Sequence, residues 1–419
     1  MLRRIIKNNK RHMALQKSTI RTGRRYRHLI LTSSIVAVIL ALGILALSAL
    51  WPDRAQTGAQ AAAVLQPSTV HNATVISNTK QNAELTEEDT PPIERETTPQ
   101  KIERSTARSN TAQGPAGRRG VYLSSLAAAR PSKIDEVIQK SRALGLNAVV
   151  IDVKDNHGVV SYDSKVPLAK TIGARTNRLN LKDLLPKLKS SGLYVIARHV
   201  LFYDPKFAKH FKTATAPWVS ATDSRIVQYN LAIAEEVANL GFDEIQFDYV
   251  RFADEGKMKP VYPARYEAIT NFIKQARAKL GKKVYLSADV FGRTLWAWNM
   301  KKIDPIGQHL ESLDPHLDYL SPMIYPSHYE TDKLRNDPYG TIKLALQAGI
   351  KRNLAMRPFL QAFDMKIPST MRYAQYIIAQ VRAAQELGID SYLFWNPEAN
   401  YSTLWKALEL MQSKSTTNN

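Results

Sequence analysis

From Gly120 onward the chain repeats one pattern about eight times: a short apolar run followed by an amphipathic stretch. Strand–helix units of this kind bury their apolar faces by building a parallel sheet with helices packed on it. The expected strands are Val121–Ser124, Ala148–Val153, Tyr194–His199, Glu244–Asp248, Val284–Asp289, Tyr319–Ile324, Leu354–Gln361 and Ser391–Trp395. The expected helices are Ser132–Leu144, Leu181–Ser190, Ser224–Leu240, Pro263–Leu280, Pro305–Leu313, Tyr339–Ala348, Thr370–Leu387 and Ser402–Gln412. Five of them run into a glycine (Gly145, Gly241, Gly281, Gly349, Gly388), a residue that closes a helix in the left-handed conformation at no steric cost. Eight units over residues 120–413 fit an α/β fold, a closed (β/α)8 TIM-type barrel. The alternative is an open doubly wound sheet, but no Gly-rich phosphate fingerprint follows the first strand.

The segment before the barrel reads differently. Residues 29–50 carry no charge, and about 20 apolar residues suffice to cross a bilayer. Trp51 ends the run, where an aromatic ring favours the headgroup layer. Residues 1–28 hold ten Lys/Arg and no acid, a basic tail that places the N-terminus in the cytoplasm and the rest outside. The expectation is one uncleaved transmembrane anchor over 29–51, attaching the protein to a membrane as a single-pass chain. A cleaved signal peptide is the alternative, but its apolar core would be shorter, about 7–15 residues. Residues 52–119 balance eight basic against eight acidic residues and are rich in Ala, Thr, Gln, Ser, Glu and Pro without hydrophobic periodicity. Such a stretch cannot offset its ordering entropy by burial, so it reads as a flexible linker. Residues 414–419 read as a disordered tail.

Of the net charge of +21, ten units belong to the tail and +11 to residues 120–419. The charge therefore does not argue for nucleic acid as a partner. The chain has no cysteine, which excludes a disulfide framework, a thiolate metal site and a cysteine nucleophile. No metal-spaced His-x-His or Glu-x-x-His pair, no Gly-x-Ser-x-Gly elbow and no P-loop occurs, so neither metal nor cofactor is expected.

In a barrel of this kind chemistry collects at the C-terminal ends of the strands, and period-two alternation tells which side chains face inward. On the fourth strand Gln246 and Asp248 face inward, with Arg251 just beyond. Asp248 is either catalytic or a loop cap held by Arg251. On the fifth strand Ser287 and Asp289 face inward, and Asp289 is either a second catalytic acid or a helix cap. Neighbouring strands lie about 4.8 Å apart, so two such acids can flank one scissile bond, the arrangement glycoside hydrolysis needs. On the second strand Asp152 and Lys154 share a face and read as a buried ion pair, with a substrate clamp as the alternative. Arg198 on the third strand is placed to stabilise Asp248. Tyr325, Arg357 and Trp395 complete the candidate substrate-binding or supporting set. Tyr203, Trp296, Trp298 and Tyr329 add rings that either stack on sugars or pack loops. Asp155 and Glu398 are the substitute acids.

The blocks Gly120-Val121-Tyr122-Leu123, Ile151-Asp152-Val153-Lys154-Asp155, Gln246-Phe247-Asp248-Tyr249-Val250-Arg251-Phe252, Ala288-Asp289-Val290-Phe291-Gly292, Ser321-Pro322-Met323-Ile324-Tyr325-Pro326 and Phe394-Trp395-Asn396 occur in this order. Together they resemble a bacterial family of putative glycoside hydrolase domains, long classed as a domain of unknown function. The resemblance covers about residues 120–410, and its most specific element is the Phe-Asp-Tyr-Val-Arg-Phe block. It implies a (β/α)8 barrel distantly similar to α-amylase-type hydrolases, with Asp248 in the place of the nucleophile and Asp289 in that of the general acid/base. The fifth strand offers Asp where amylase-type enzymes carry the longer Glu.

The function expected is a membrane-tethered hydrolase of an envelope or extracellular polysaccharide. Retention is expected, with Asp248 attacking and Asp289 donating the proton. A non-catalytic glycan-binding or scaffold barrel is the alternative. A deacetylase would need metal ligands that the sequence does not supply.

Overall fold

The computed structural model describes residues 116–253 and 263–417. The expected anchor, basic tail and most of the expected linker lie outside the described residues. Among the described residues, no helix is long and apolar enough to cross a membrane.

Eight parallel strands close into one barrel in sequential order. They are β1 (Arg119–Leu123), β2 (Ala148–Lys154), β3 (Tyr194–Val200), β4 (Glu244–Asp248), β5 (Tyr285–Phe291), β6 (Tyr319–Ile324), β7 (Phe359–Gln361) and β8 (Tyr392–Trp395). The principal helices that follow them are α1 (Pro131–Leu144), α2 (Leu181–Ser190), α3 (Ser224–Leu240), α4 (Pro263–Leu280), α5 (Leu310–Leu313), α6 (Pro338–Lys351), α7 (Tyr373–Glu386) and α8 (Ser402–Thr417). The closed barrel sets aside the open-sheet alternative. α8 continues through Thr417, into the span 414–419 that reads as a tail in the sequence.

Alternation along each strand sorts two cores. The outward residues of β4 and β5 (Ile245, Phe247, Leu286, Ala288, Val290) join the shell between sheet and helices. A smaller inner core of Tyr122, Ala148, Val150, Tyr194, Ile196, Phe359 and Leu393 fills the lumen. The lumen is therefore plugged below, and Asp248 and Asp289 lie above the plug, toward the C-terminal ends of their strands. Gly120 permits one close approach: a Cβ there would lie 2.3 Å from the carbonyl oxygen of Ala148 on β2.

Three expectations change. The 305–313 segment is helical only over Leu310–Leu313, because Asp304 and Gln308 instead bind backbone and hold it as a loop. The seventh strand is short, Phe359–Gln361; Pro358 lacks an amide proton to extend it. Gly349 does not end its helix. It lies inside α6, where a Cβ would meet Sδ of Met356 at 2.1 Å. Gly145, Gly241 and Gly388 follow helices with φ of +70°, +99° and +71°, in the left-handed region.

Candidate active site

The pairing register places the acids. Gln246 on β4 is level with Ser287 on β5, and Phe247 with Ala288, so the register carries Asp248 to the level of Asp289. Both are inward and nearly buried, at 6% and 2% exposure. They line one cavity with Arg198, Tyr249, Arg251, Phe291, Met323, Tyr325, Phe359 and Trp395.

Arg198 organises the charges. It stands opposite Asp152 on β2 and Gln246 on β4, one inward step below Asp248. Its Nε and Nη2 donate to Oδ2 of Asp248 at 2.9 and 2.5 Å, and its Nη1 donates to Oδ1 of Asp152 at 2.6 Å. The other oxygen of Asp152 accepts from the Tyr122 hydroxyl at 2.6 Å. Asp248 Oδ1 accepts from the backbone N–H of Tyr249 at 2.6 Å. Tyr249 has φ of +51°, sparsely populated for a residue with a Cβ, and the turn it makes ends β4. Asp248 is thus fixed at both oxygens.

Asp289 is held differently. Its Oδ2 lies 4.0 Å from the Nε of Arg198, too far for a hydrogen bond, and its Oδ1 is a buried atom with no partner. Burial pushes its pKa well above the usual carboxylate range, and the charge of Asp248 pushes it further; Arg198 and Arg357 pull the other way. Gln308 pins the strand end behind it, its Nε2 donating to the Asp289 carbonyl at 3.3 Å and its Oε1 accepting from the Phe291 amide at 3.1 Å. Tyr325 stands close enough that both acids help raise the pKa of its buried hydroxyl, after burial itself. Trp395 stacks on Tyr122 with ring centroids 3.8 Å apart, and the Arg198 guanidinium lies 4.9 Å from the Trp395 ring centroid.

Several expected roles change. Lys154 does not pair with Asp152. An irregularity in the β2–β3 ladder after Asp152 sets Lys154 opposite His199, on the helix-facing side. There its Nζ pairs with Asp204 at 2.8 Å and donates to the Val200 carbonyl, also at 2.8 Å. Strict period-two counting fails at that bulge. Arg357 lies below the site, fully buried, and grips both oxygens of Glu244, which also accepts from Tyr194 and Ser287. That is a structural ion pair in the barrel floor. Arg251 lines the cavity, but its guanidinium packs on Trp218 and Phe291, each 4.5 Å away. The ionic hold on Asp248 comes from Arg198. Asp155 caps its own loop by accepting from the amides of His157 and Val159. Tyr122, Gln308 and the Tyr249 turn were not singled out by sequence pattern. Only the register of a folded barrel sets Tyr122 beside Asp152, and Gln308 acts from a loop without periodicity.

The sequence matches a family described as "putative glycosyl hydrolase domain" over residues 120–401. The chain belongs to that family. Among solved structures, the glycoside hydrolase domain of PgaB (BpsB) from Bordetella bronchiseptica is 14% identical, with a TM-score of 0.53 over 70% of this chain and 98% of that one. That likeness shows the fold. A hypothetical protein from Ruminiclostridium thermocellum is 29% identical over 41% of this chain and 97% of its own, with a TM-score of 0.37. An endo-β-1,4-mannanase from Thermotoga petrophila is 11% identical over 71% and 77%, with a TM-score of 0.48. No curated protein matches the sequence. The hydrolase thus carries its inward acids at the strand ends where barrels of this type hold their active sites.

Proposed function

We propose that this hydrolase cleaves glycosidic bonds of an envelope or extracellular polysaccharide by paired-carboxylate chemistry, from a position tethered to the membrane by its N-terminal segment. The observation that carries the reading is the contrast between two acids at one level. Asp248 is clamped by a guanidinium and a backbone N–H, which favours the anion. Asp289 is buried beside that charge with a free oxygen, which favours the protonated form. Environments that push two neighbouring acids apart in this way define a nucleophile and a proton donor. Asp289 protonates the leaving oxygen while Asp248 attacks the anomeric carbon; Asp289, then ionised, activates the water that releases the product. Trp395, stacked at the cavity wall, supplies an apolar face for a sugar ring.

The geometry favours retention. The Oδ2 atoms of the two acids lie 2.9 and 4.0 Å from one Nε, so their separation cannot exceed those two distances laid end to end. That bound, on one pair of oxygens, accommodates the about 5–5.5 Å separation of retaining enzymes. The test is a screen of the detergent-solubilised chain against envelope polysaccharides and exopolysaccharides for released reducing ends, followed by NMR of the first anomer from any active substrate. An inverted product rules out retention. Glycan binding without cleavage in the wild type supports a binding barrel instead.

A further inference from the structure

Three carboxylates surround Arg198, and the guanidinium does not serve them equally. Two of its donors go to Asp248 and one to Asp152, while Asp289 is left at 4.0 Å. Asp152 is 3% exposed and is absent from the cavity wall that Asp248 and Asp289 share, so it does not meet a substrate there. It is nevertheless held from both sides, by Arg198 Nη1 at Oδ1 and by the Tyr122 hydroxyl at Oδ2, each at 2.6 Å. Tyr122 is itself pinned: its ring stacks on Trp395, its backbone N–H donates to the Tyr401 hydroxyl at 3.1 Å, and its carbonyl accepts from that hydroxyl at 2.6 Å.

We infer that Asp152 is a positioning residue for the proton donor: by holding the Nη1 edge of Arg198, it aims the guanidinium at Asp248, keeps it out of hydrogen-bond reach of Asp289, and balances its charge. This rests on the assignment of Asp289 as the acid. The reasoning is electrostatic. Asp289 faces Asp248 and Arg198 in the cavity, Arg357 and Glu244 below, and the Tyr325 hydroxyl. Arg357 and Glu244 compensate one another through their own ion pair. Arg251 lines the same cavity but packs its guanidinium on Trp218 and Phe291. Arg198 is the cation placed 4.0 Å from Asp289, and its charge is shared between two other carboxylates. Removing one of them leaves a surplus of positive charge beside Asp289. An acid outside the cavity wall thereby keeps another acid protonated.

The test is Asp152→Asn in the full chain, because asparagine keeps an oxygen for Nη1 and removes the charge, while its Nδ2 donates to the Tyr122 hydroxyl, which then accepts. Carboxyl 13C titration with labelled aspartate, with Asp289 assigned by loss of its signal in Asp289→Asn, reads the proton directly and needs no substrate. The expected result is that the Asp289 transition falls by about one pH unit or more in Asp152→Asn. Tyr122→Phe, which keeps the ring stacking and removes one hydrogen bond to Asp152, is expected to move it the same way by less. It also serves as the working variant should Asp152→Asn fold poorly. An Asp289 transition unmoved in a folded Asp152→Asn or in Tyr122→Phe, or one that rises, overturns the inference. A shift in a chain that proves to have no glycosidase activity keeps Asp152 as the group that sets the Asp289 proton and removes the proton-donor role of Asp289. Where a substrate is found, the alkaline limb of the rate profile should move to lower pH with the NMR transition, which a merely structural role for Asp152 would not produce.

Discussion

At the scale of single residues the site separates function from stability. Asp289 is buried without a hydrogen bond for Oδ1, and its folded-state pKa is raised. The folded state therefore holds that proton more tightly than the unfolded chain does. Stability from this group is fully present below the ordinary aspartate pKa and is lost as pH rises through the raised value. Asp289→Asn removes the ionisation, so it should abolish cleavage while melting at an equal or higher temperature than the wild type at pH 8, with the difference shrinking toward pH 4. Thermal denaturation at both pH values, beside an activity assay, checks this; a variant less stable than wild type at pH 8 contradicts it. Asp248→Asn should lower turnover by about 10²-fold or more with glycan binding retained. Arg198→Ala has a different signature. It strips the shared cation from buried acids, and breaking a buried pair of this kind costs about 3–5 kcal/mol, so the variant should unfold at markedly lower denaturant concentration.

At the scale of elements the barrel was legible in the sequence because the physics that shapes each unit is local. β4 and β6 coincide with their expected spans, and Gln246, Asp248, Ser287 and Asp289 face inward as alternation requires. What was not legible needed a neighbour to reveal it. The bulge after Asp152 turns Lys154 to the helix side only because β3 is present to define the register. Arg357 reads as a site residue until Glu244, 113 residues earlier, is brought against it. Tyr122 lies in the Gly120–Leu123 block, which gives it no role by itself; the role follows from where β1 meets β2. The same dependence on neighbours makes Gly120 a sharp test. A Cβ at this position would meet backbone oxygen, carbon and Cβ of Ala148 at 2.3, 2.6 and 2.9 Å, and backbone cannot step aside as a flexible side chain can. Gly120→Ala should force β1 away from β2 and destabilise the fold by about 1–3 kcal/mol or more, as overpacking does. Because β1 carries Tyr122, activity should fall as well. Chemical denaturation with a circular-dichroism readout measures the first effect, and an unchanged midpoint contradicts the clash.

At the scale of the whole molecule the barrel positions the candidate acids, and the N-terminal sequence bears on where the proposed chemistry would be done. The barrel has its candidate acids at one end of the lumen, above a packed floor of apolar side chains and the Arg357–Glu244 ion pair, which leaves the acid end as the open side for a substrate. Residues 29–50 carry no charge and follow ten cations, and residues 52–119 have no net charge and no apolar periodicity. In the topology we propose, the positive-inside rule would send everything after Trp51 across the membrane. A periplasmic-type reporter fused after Asn419 should therefore be active outside the cytoplasm, and one that works only inside contradicts the orientation. Carbonate extraction should leave the full chain with the membrane, while deletion of residues 1–51 should release it. Limited proteolysis should cut within 52–119 and leave a fragment beginning near Gly120 that withstands further digestion, because β1 pairs with both β2 and β8 and closes the barrel. Protection throughout 52–119 would mean that the segment packs on the barrel and would overturn the flexible-linker expectation.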